Sequence, residues 1–240
     1  YNQGWYHAGH GIHVADTKTL TFDGQAESPC YFVHQTAVQE NRIGYTTIDA
    51  GPGGITGWAT TKANRPYLNL QFTRCAGLPI YRNHLRDDNG GLYVSANHCE
   101  FFGGGLGGDV SDESFTNCLL DRTFVWFEAG NTNYGDVFAF RNCTMRGGRF
   151  SINRQSSTEG HIQTTILDSA FDNTTVSTSD PHASNASLTR YDYNAYLTNA
   201  SRTYPTGNHD VLVTNFNWQR GWLGDFYLPP GSSLINTGSV

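Results

Sequence analysis

The side chains able to do chemistry are few, and most fall in one stretch. Asp87 and Asp88 are adjacent and precede Asn89, Gly90 and Gly91. Neighbouring carboxylates can hold a hard cation or divide acid and base work. The same pair before Asn-Gly-Gly also reads as a solvated turn. His98, Glu100, Asp112 and Glu113 follow, and Arg74 precedes. If the chain is an enzyme, Arg74, Asp87, Asp88, His98 and Glu100 are the residues expected to carry the reaction. His98, Glu100, Asp112 and Glu113, with Arg74 beside His98, are expected to make a small acidic groove with a base next to the Asp87–Asp88 loop. Charged residues along a solvent-exposed sheet face give the same pattern without function.

Other constellations are weaker. His7, His10 and His13 are three apart, but Gly9 and Gly11 disfavour a helix that would present them together. On a strand His10 faces away from the other two. No metal site is therefore expected. No G-x-S-x-G elbow occurs, and Gly103–Gly108 lacks the lysine of a phosphate loop, so it reads as a tight bend. Five cysteines without a C-x-x-C pair argue against a zinc ribbon or a redox motif. Trp126, Tyr134, Trp218 and Trp222, with Tyr227, alternate with inward residues or lie in loops. Aromatic faces stack on sugar rings, so these residues form a candidate glycan-binding surface, the alternative being that they cover ends and loops.

The elements that must position these residues are short. Charged residues make up 15% and aromatics 13%, with 27 glycines. That is too aromatic for disorder and fits many short strands joined by turns. The net charge of −6 without a basic block excludes a nucleic-acid footprint. No apolar run is long enough to span a membrane. Tyr1–Trp5 does not read as a secretion leader, which a secreted chain would already have shed.

A repeat organises the chain. With the cysteine as position zero, the equivalents are Gly24, Ala50, Cys75, Cys99, Cys118, Cys143, Ser169, Ala195 and Trp218, spaced 19 to 26 residues apart. The residue just before is Asp23, Asp49, Arg74, His98, Asn117, Asn142, Asp168, Asn194 or Asn217. Asn and Asp tolerate a left-handed backbone, so this position reads as a bend. Apolar columns flank it. Three before zero stand Phe72, Ala96, Phe115, Phe140 and Ile166; two after stand Gly77, Phe101, Leu120, Met145 and Phe171; seven after stand Leu106, Val125, Phe150 and Val176. A weaker column, five before, holds Leu70, Val94, Glu113, Phe138 and Thr164. Short strands with an Asx bend every two dozen residues describe a parallel β-solenoid whose equivalent residues stack on one another. Cys75, Cys99, Cys118 and Cys143 then form an internal column in place of a disulfide framework, and Asp121, Arg146 and Asp172 an outward ladder of alternating charge. Residues 82–91, 179–189 and 199–208 read as projecting loops.

Asn117-Cys118-Leu119-Leu120 and Asn142-Cys143-Thr144-Met145 resemble the repeat of right-handed parallel β-helix proteins of the pectin-lyase-like superfamily. The tail segments Asp192–Tyr196, Phe226–Pro229 and Ser233–Ser239 are similar to the ends of bacterial secreted β-helix proteins. The resemblance, over roughly residues 19–220, implies an all-β right-handed parallel β-helix; the repeat count gives about eight to nine coils, and the chain reads as one domain over residues 1–240. It also implies an extracellular or cell-surface place in a bacterium and polysaccharide as a partner. The fold hosts lyases, hydrolases, adhesins and tailspikes, so it does not itself give the activity. A lyase of this kind would bring calcium; otherwise no cofactor is expected. The polygalacturonase-like motif set is absent in its required order. The expectation is a structural or adhesive module, glycan-binding or self-assembling, with a polysaccharide lyase or glycoside hydrolase as the alternative. Solenoid ends need caps, and no capping helix is seen before Thr19. The chain is therefore expected to belong to a longer protein or to stack end to end.

Overall fold

The computed structural model describes residues 12–33, 54–57, 59, 61–87, 91–108, 112–129, 137–154, 163–179, 189–221 and 224–239. The described chain is β-strand apart from bends, turns and a single 3-10 turn at Lys62–Asn64. A seven-stranded parallel sheet holds Thr19–Asp23, Tyr67–Gln71, Tyr93–Asn97, Asp112–Thr116, Val137–Arg141, Gln163–Leu167 and Thr189–Asp192, side by side in chain order. The second large sheet has 13 strands and is also parallel. It is continuous through two long strands, Thr73–Asp87 and Glu100–Gly108, and elsewhere divides into two arms. The short-strand arm contains Leu119–Asp121, Thr144–Arg146, Ala170–Asp172, Ala195–Leu197 and Val211–Val213. The other arm contains Phe124–Ala129, Arg149–Arg154 and Thr175–Ser179. Each repeat thus lays one strand on each surface and returns beside its predecessor, which is compatible with a parallel β-helix. Among the described residues no helix is long and apolar enough to cross a membrane.

The pairing fixes the register of the repeat. In the seven-stranded sheet Leu70, Ala96, Phe115, Phe140, Ile166 and Tyr191 are aligned. All six are buried. In the short-strand arm Phe101, Leu120, Met145, Phe171 and Tyr196 are aligned and buried. Aromatic rings from successive repeats lie face to face, Phe115 on Phe140 at 4.8 Å and Phe171 on Tyr196 at 4.9 Å. The rung spacing of parallel strands and the stacking distance of rings are nearly equal, so like side chains pile up without strain.

Between the two sheets six successive repeats each turn through one left-handed residue: Phe72, His98, Asn117, Asn142, Asp168 and Tyr193 have φ of 42° to 58°. The next residue is a small hydrogen-bond donor pointing inward. Cys99 Sγ donates to the Asn97 carbonyl at 3.3 Å and to that of Leu70 on the previous rung at 3.4 Å. Cys118 does the same to Thr116 and Ala96, and Cys143 to Arg141 and Phe115. Thr73 Oγ1, Ser169 Oγ and Asn194 Nδ2 donate to Gln71, Leu167 and Ile166. A bend turns carbonyls away from the sheet ladder, and a buried carbonyl without a donor is costly. A second bend, after the short strands, repeats the device. Arg122 and Asn173 are left-handed, and Thr123 and Thr174 donate to Phe101 at 3.0 Å and Met145 at 2.9 Å. Gly148 takes that place in one repeat with φ +70°, and a Cβ there would lie 2.3 Å from the Thr123 carbonyl oxygen.

This chemistry corrects the predicted alignment. Cys75 is not in the thiol column; it pairs with Phe101, and Thr73 is the donor. Cys30 is the aligned cysteine, paired with Thr73, after an insertion following Gly24, which itself sits at the bend and not at zero. Leu70 and Leu68 replace Phe72 and Leu70 in the two inward columns of the seven-stranded sheet. Cys75 replaces Gly77. Near the end Asn194 replaces Ala195, with Tyr193 at the bend, because Ala195 pairs with Ala170. Trp218 falls outside the register, since Val211 pairs with Ala195 and places Asp210 where the repeat continues. Residues 82–87, expected in a loop, extend a strand. Ala50, Asp49 and the loop over residues 180–188 lie outside the described residues. The column of Leu106, Val125, Phe150 and Val176 stands as expected. All five cysteines are free, and burial pushes the Cys75 and Cys118 thiols well above their ordinary pKa.

Cys118→Ser keeps a donor at the bend and should hold stability within about 1 kcal/mol. Thr123→Val keeps the shape but loses the donor to Phe101, and should cost about 1–3 kcal/mol in denaturant unfolding. Equal stability of Thr123→Val and the parent chain would show that the bend donors do not matter.

Candidate functional site

The outer face of the short-strand arm carries an open cleft of about 960 Å³. Its floor follows the register: Arg74, Glu100, Leu119 and Thr144 are aligned on four successive rungs. Beside them runs the bend column of Phe72, His98, Asn117 and Asn142. Ala26, Glu27 and Pro29, from the insertion between Gly24 and Cys30, form one wall. Phe226 and Tyr227, from the C-terminal hairpin, form another. The hairpin pairs Gln219–Gly221 with Gly224–Tyr227, antiparallel.

The floor is polar and internally paired. Arg74 grips Glu100 through two contacts, Nε to Oε2 at 2.9 Å and Nη2 to Oε1 at 3.1 Å. Its Nη1 also donates to the Tyr31 hydroxyl at 3.3 Å. Burial alone would lower the Arg74 pKa, but the Glu100 carboxylate outweighs it and raises the value above that of an ordinary guanidinium. The His98 ring lies flat on Phe72, centroids 4.7 Å apart. Asn142 Nδ2 donates to Asn117 Oδ1 at 2.6 Å, which leaves Asn117 Nδ2 facing His98 Nε2 at 3.2 Å. That ring nitrogen therefore accepts, and Nδ1 carries the proton. Side chains that repeat every rung can bond along the stack, so the bend column becomes a ladder of amides ending on an imidazole.

The tail covers the rest of this face. Trp218 Nε1 donates to Asp172 Oδ2 at 2.9 Å. The Arg146 guanidinium lies 5.0 Å from the Phe226 ring centre and pairs with Asp121 at 3.1 Å. Ser239 donates from its backbone N to Asp168 Oδ1 and from its hydroxyl to Oδ2 at 2.6 Å. The expected charge ladder of Asp121, Arg146 and Asp172 is therefore present but partly covered, with both carboxylates buried.

Of the residues expected to do chemistry, Arg74, His98 and Glu100 converge in the cleft, with Arg74 aligned to Glu100 and not to His98 as expected. Asp87 ends the long strand, its backbone paired with Gly57 on the other arm; its side chain, like Asp88, lies outside the described residues. Glu113 is no part of an acidic groove, since it points inward and is buried between Val94 and Phe138. Asp112 lies on the seven-stranded sheet, paired with Lys62 at 3.0 Å and beside the fully buried Arg65. Trp218 is engaged by Asp172 and by Phe216, rings 5.0 Å apart. Trp126 is half-buried, aligned with Ser151 on the other arm. Tyr134, Trp222, His7 and His10 lie outside the described residues. Among the described residues no three His, Cys, Asp or Glu side chains cluster as a metal ion would require. The sequence expects Asn117 and Asn142 to form a ladder at the bend, and they do, bonded side chain to side chain; Phe226 and the residues before Cys30 carry no such signal.

The bend column ends in a second cluster. Asp192 accepts from the His209 ring Nδ1 at 2.8 Å, from the His209 backbone N at 2.7 Å and from Tyr193 N at 3.1 Å. The His209 ring stacks on Tyr193 at 4.5 Å.

Compared with known proteins, the chain matches no family model, no curated protein and no solved structure.

Burial alone would raise the Asp192 pKa; the donors from His209 and Tyr193 outweigh it, so the folded value is lowered. A lowered carboxylate pKa contributes stability that is fully present above the unfolded value, about 3.9, and is lost as pH falls through the folded one. The stability gap between the parent chain and Asp192→Asn should therefore be constant at about pH 5–6 and close as the pH drops below about 4. Unfolding curves across that range test this; a gap that widens on acidification contradicts it.

Proposed function

We propose that this chain is a carbohydrate-binding module of an extracellular or cell-surface bacterial protein, and that the cleft over the short-strand arm is its binding surface. The reading takes the fold as a right-handed parallel β-helix of about eight to nine coils, resembling the pectin-lyase-like superfamily. One observation carries it: a cleft whose floor holds ordered amides and an ion pair and whose lining includes the aromatic residues Phe102, Phe226 and Tyr227. A sugar offers hydroxyls for such amides and an apolar C–H face for rings. Catalysis has less support. A base must give up its proton at working pH, and Arg74 is held charged by Glu100. Glu100 in turn is paired with the cation and is no free acid.

Titration against an array of plant and bacterial-surface glycans should identify binders. Against the tightest of them Tyr227→Ala should weaken binding about threefold to tenfold, the worth of one stacking contact, with the unfolding midpoint unchanged. Unchanged affinity in Tyr227→Ala would remove the cleft from consideration, and cleavage of the glycan by the parent chain would favour the enzymatic alternative.

A further inference from the structure

The cleft spans only part of the face on which it lies, and the chain itself closes it. On the rung after Thr144 the outward positions are Asp168 at the bend, Ala170 and Asp172. Each is taken by the tail. Asp168 is bonded by the backbone and hydroxyl of Ser239, with Gly238 against it. Ala170 joins an outer cluster with Phe216, Trp218 and Leu234. Asp172 accepts the Trp218 indole and is 8% exposed although it belongs to an outward position. At the opposite end the rung before Arg74 presents Tyr31, which is held by the Arg74 guanidinium, and the wall of Ala26, Glu27 and Pro29.

We propose that the C-terminal tail, through Trp218, Leu234 and Ser239, is a stop that sets the length of the ligand the cleft accepts. The inference rests on the carbohydrate reading. Four open rungs give three spacings of about 4.8 Å, roughly 14 Å of floor. A sugar unit in an extended chain advances close to one rung, so the cleft takes an oligosaccharide of about four units, or the end of a longer chain. A continuous polymer laid along the axis would meet Phe226 and then the covered rung. Phe226 itself holds a left-handed backbone, φ 70°, with its ring over Arg146. A non-glycine residue in that region is retained only when its surroundings impose it.

Calorimetric titration of the full chain with β-1,4-linked glucose oligomers of two to eight units, and with galacturonate oligomers of the same lengths, tests the stop. Affinity should rise with each unit up to about four and then change by less than about twofold. In Trp218→Ala the rise should continue past that point. Ser239→Ala, which removes the hydroxyl bond to Asp168 and keeps the backbone one, should shift it in the same direction by less and guards against a folding defect. An affinity that climbs more than about fivefold between four and eight units in the intact chain would overturn the stop while leaving the carbohydrate reading in place. Binding by neither series at any length would instead overturn the carbohydrate reading, and the stop with it.

Discussion

The structure depends on the bend between its two large sheets. A left-handed residue there turns the chain sharply, at a steric expense that asparagine and glycine meet most easily. The turn also aims carbonyls into a dry interior, away from the strands that would otherwise pair with them. The inward donor that follows resolves this, reaching one carbonyl of its own repeat and one of the repeat before, as Cys99 reaches Asn97 and Leu70. That second bond ties successive repeats together at the corner. Without it the strands would still pair, but the corner that sets their angle would hold buried unpaired oxygens.

The same bend makes the outer surface. Because one residue in each repeat from Phe72 to Tyr193 is left-handed and outward, these side chains fall in a line at rung spacing. Phe72 and His98 are close enough to stack, Asn117 and Asn142 to bond, and Tyr193 to receive His209. An interior requirement thus generates an exterior column as a by-product, and the cleft uses its central part. The ion pair of Arg74 and Glu100 follows from the next position along, where parallel pairing brings opposite charges side by side.

The cleft's limits come from segments that do not belong to the repeat. The insertion before Cys30 and the tail after Val213 cross the short-strand arm from opposite ends. The tail does so through single polar anchors on outward residues, Asp172 and Asp168, around a small apolar cluster. It replaces solvent over a charge ladder that would otherwise be open.

Much of the architecture could be read from the chain alone. Phe115, Phe140 and Ile166 recur at the spacing of a stack, and Asn117 and Asn142 mark its bends, because periodic burial and a left-handed backbone both restrict residue type. Residue identity does not by itself fix residue role. Cys75 and Cys99 share an identity but not a role: the corner asks for a small donor, and Thr73, Ser169 and Asn194 fill it where Cys99 does in its own repeat. A thiol serves as such a donor at the bend and as a plain core residue two positions later, and composition does not distinguish them. The tail was legible only as a segment whose aromatics cover ends or loops: nothing local in Trp218, Leu234 or Ser239 says which rung they will cover. Contacts between segments tens of residues apart, such as Ser239 with Asp168, depend on where the stack ends and how the chain folds back over it, and that is decided only when the three-dimensional structure forms.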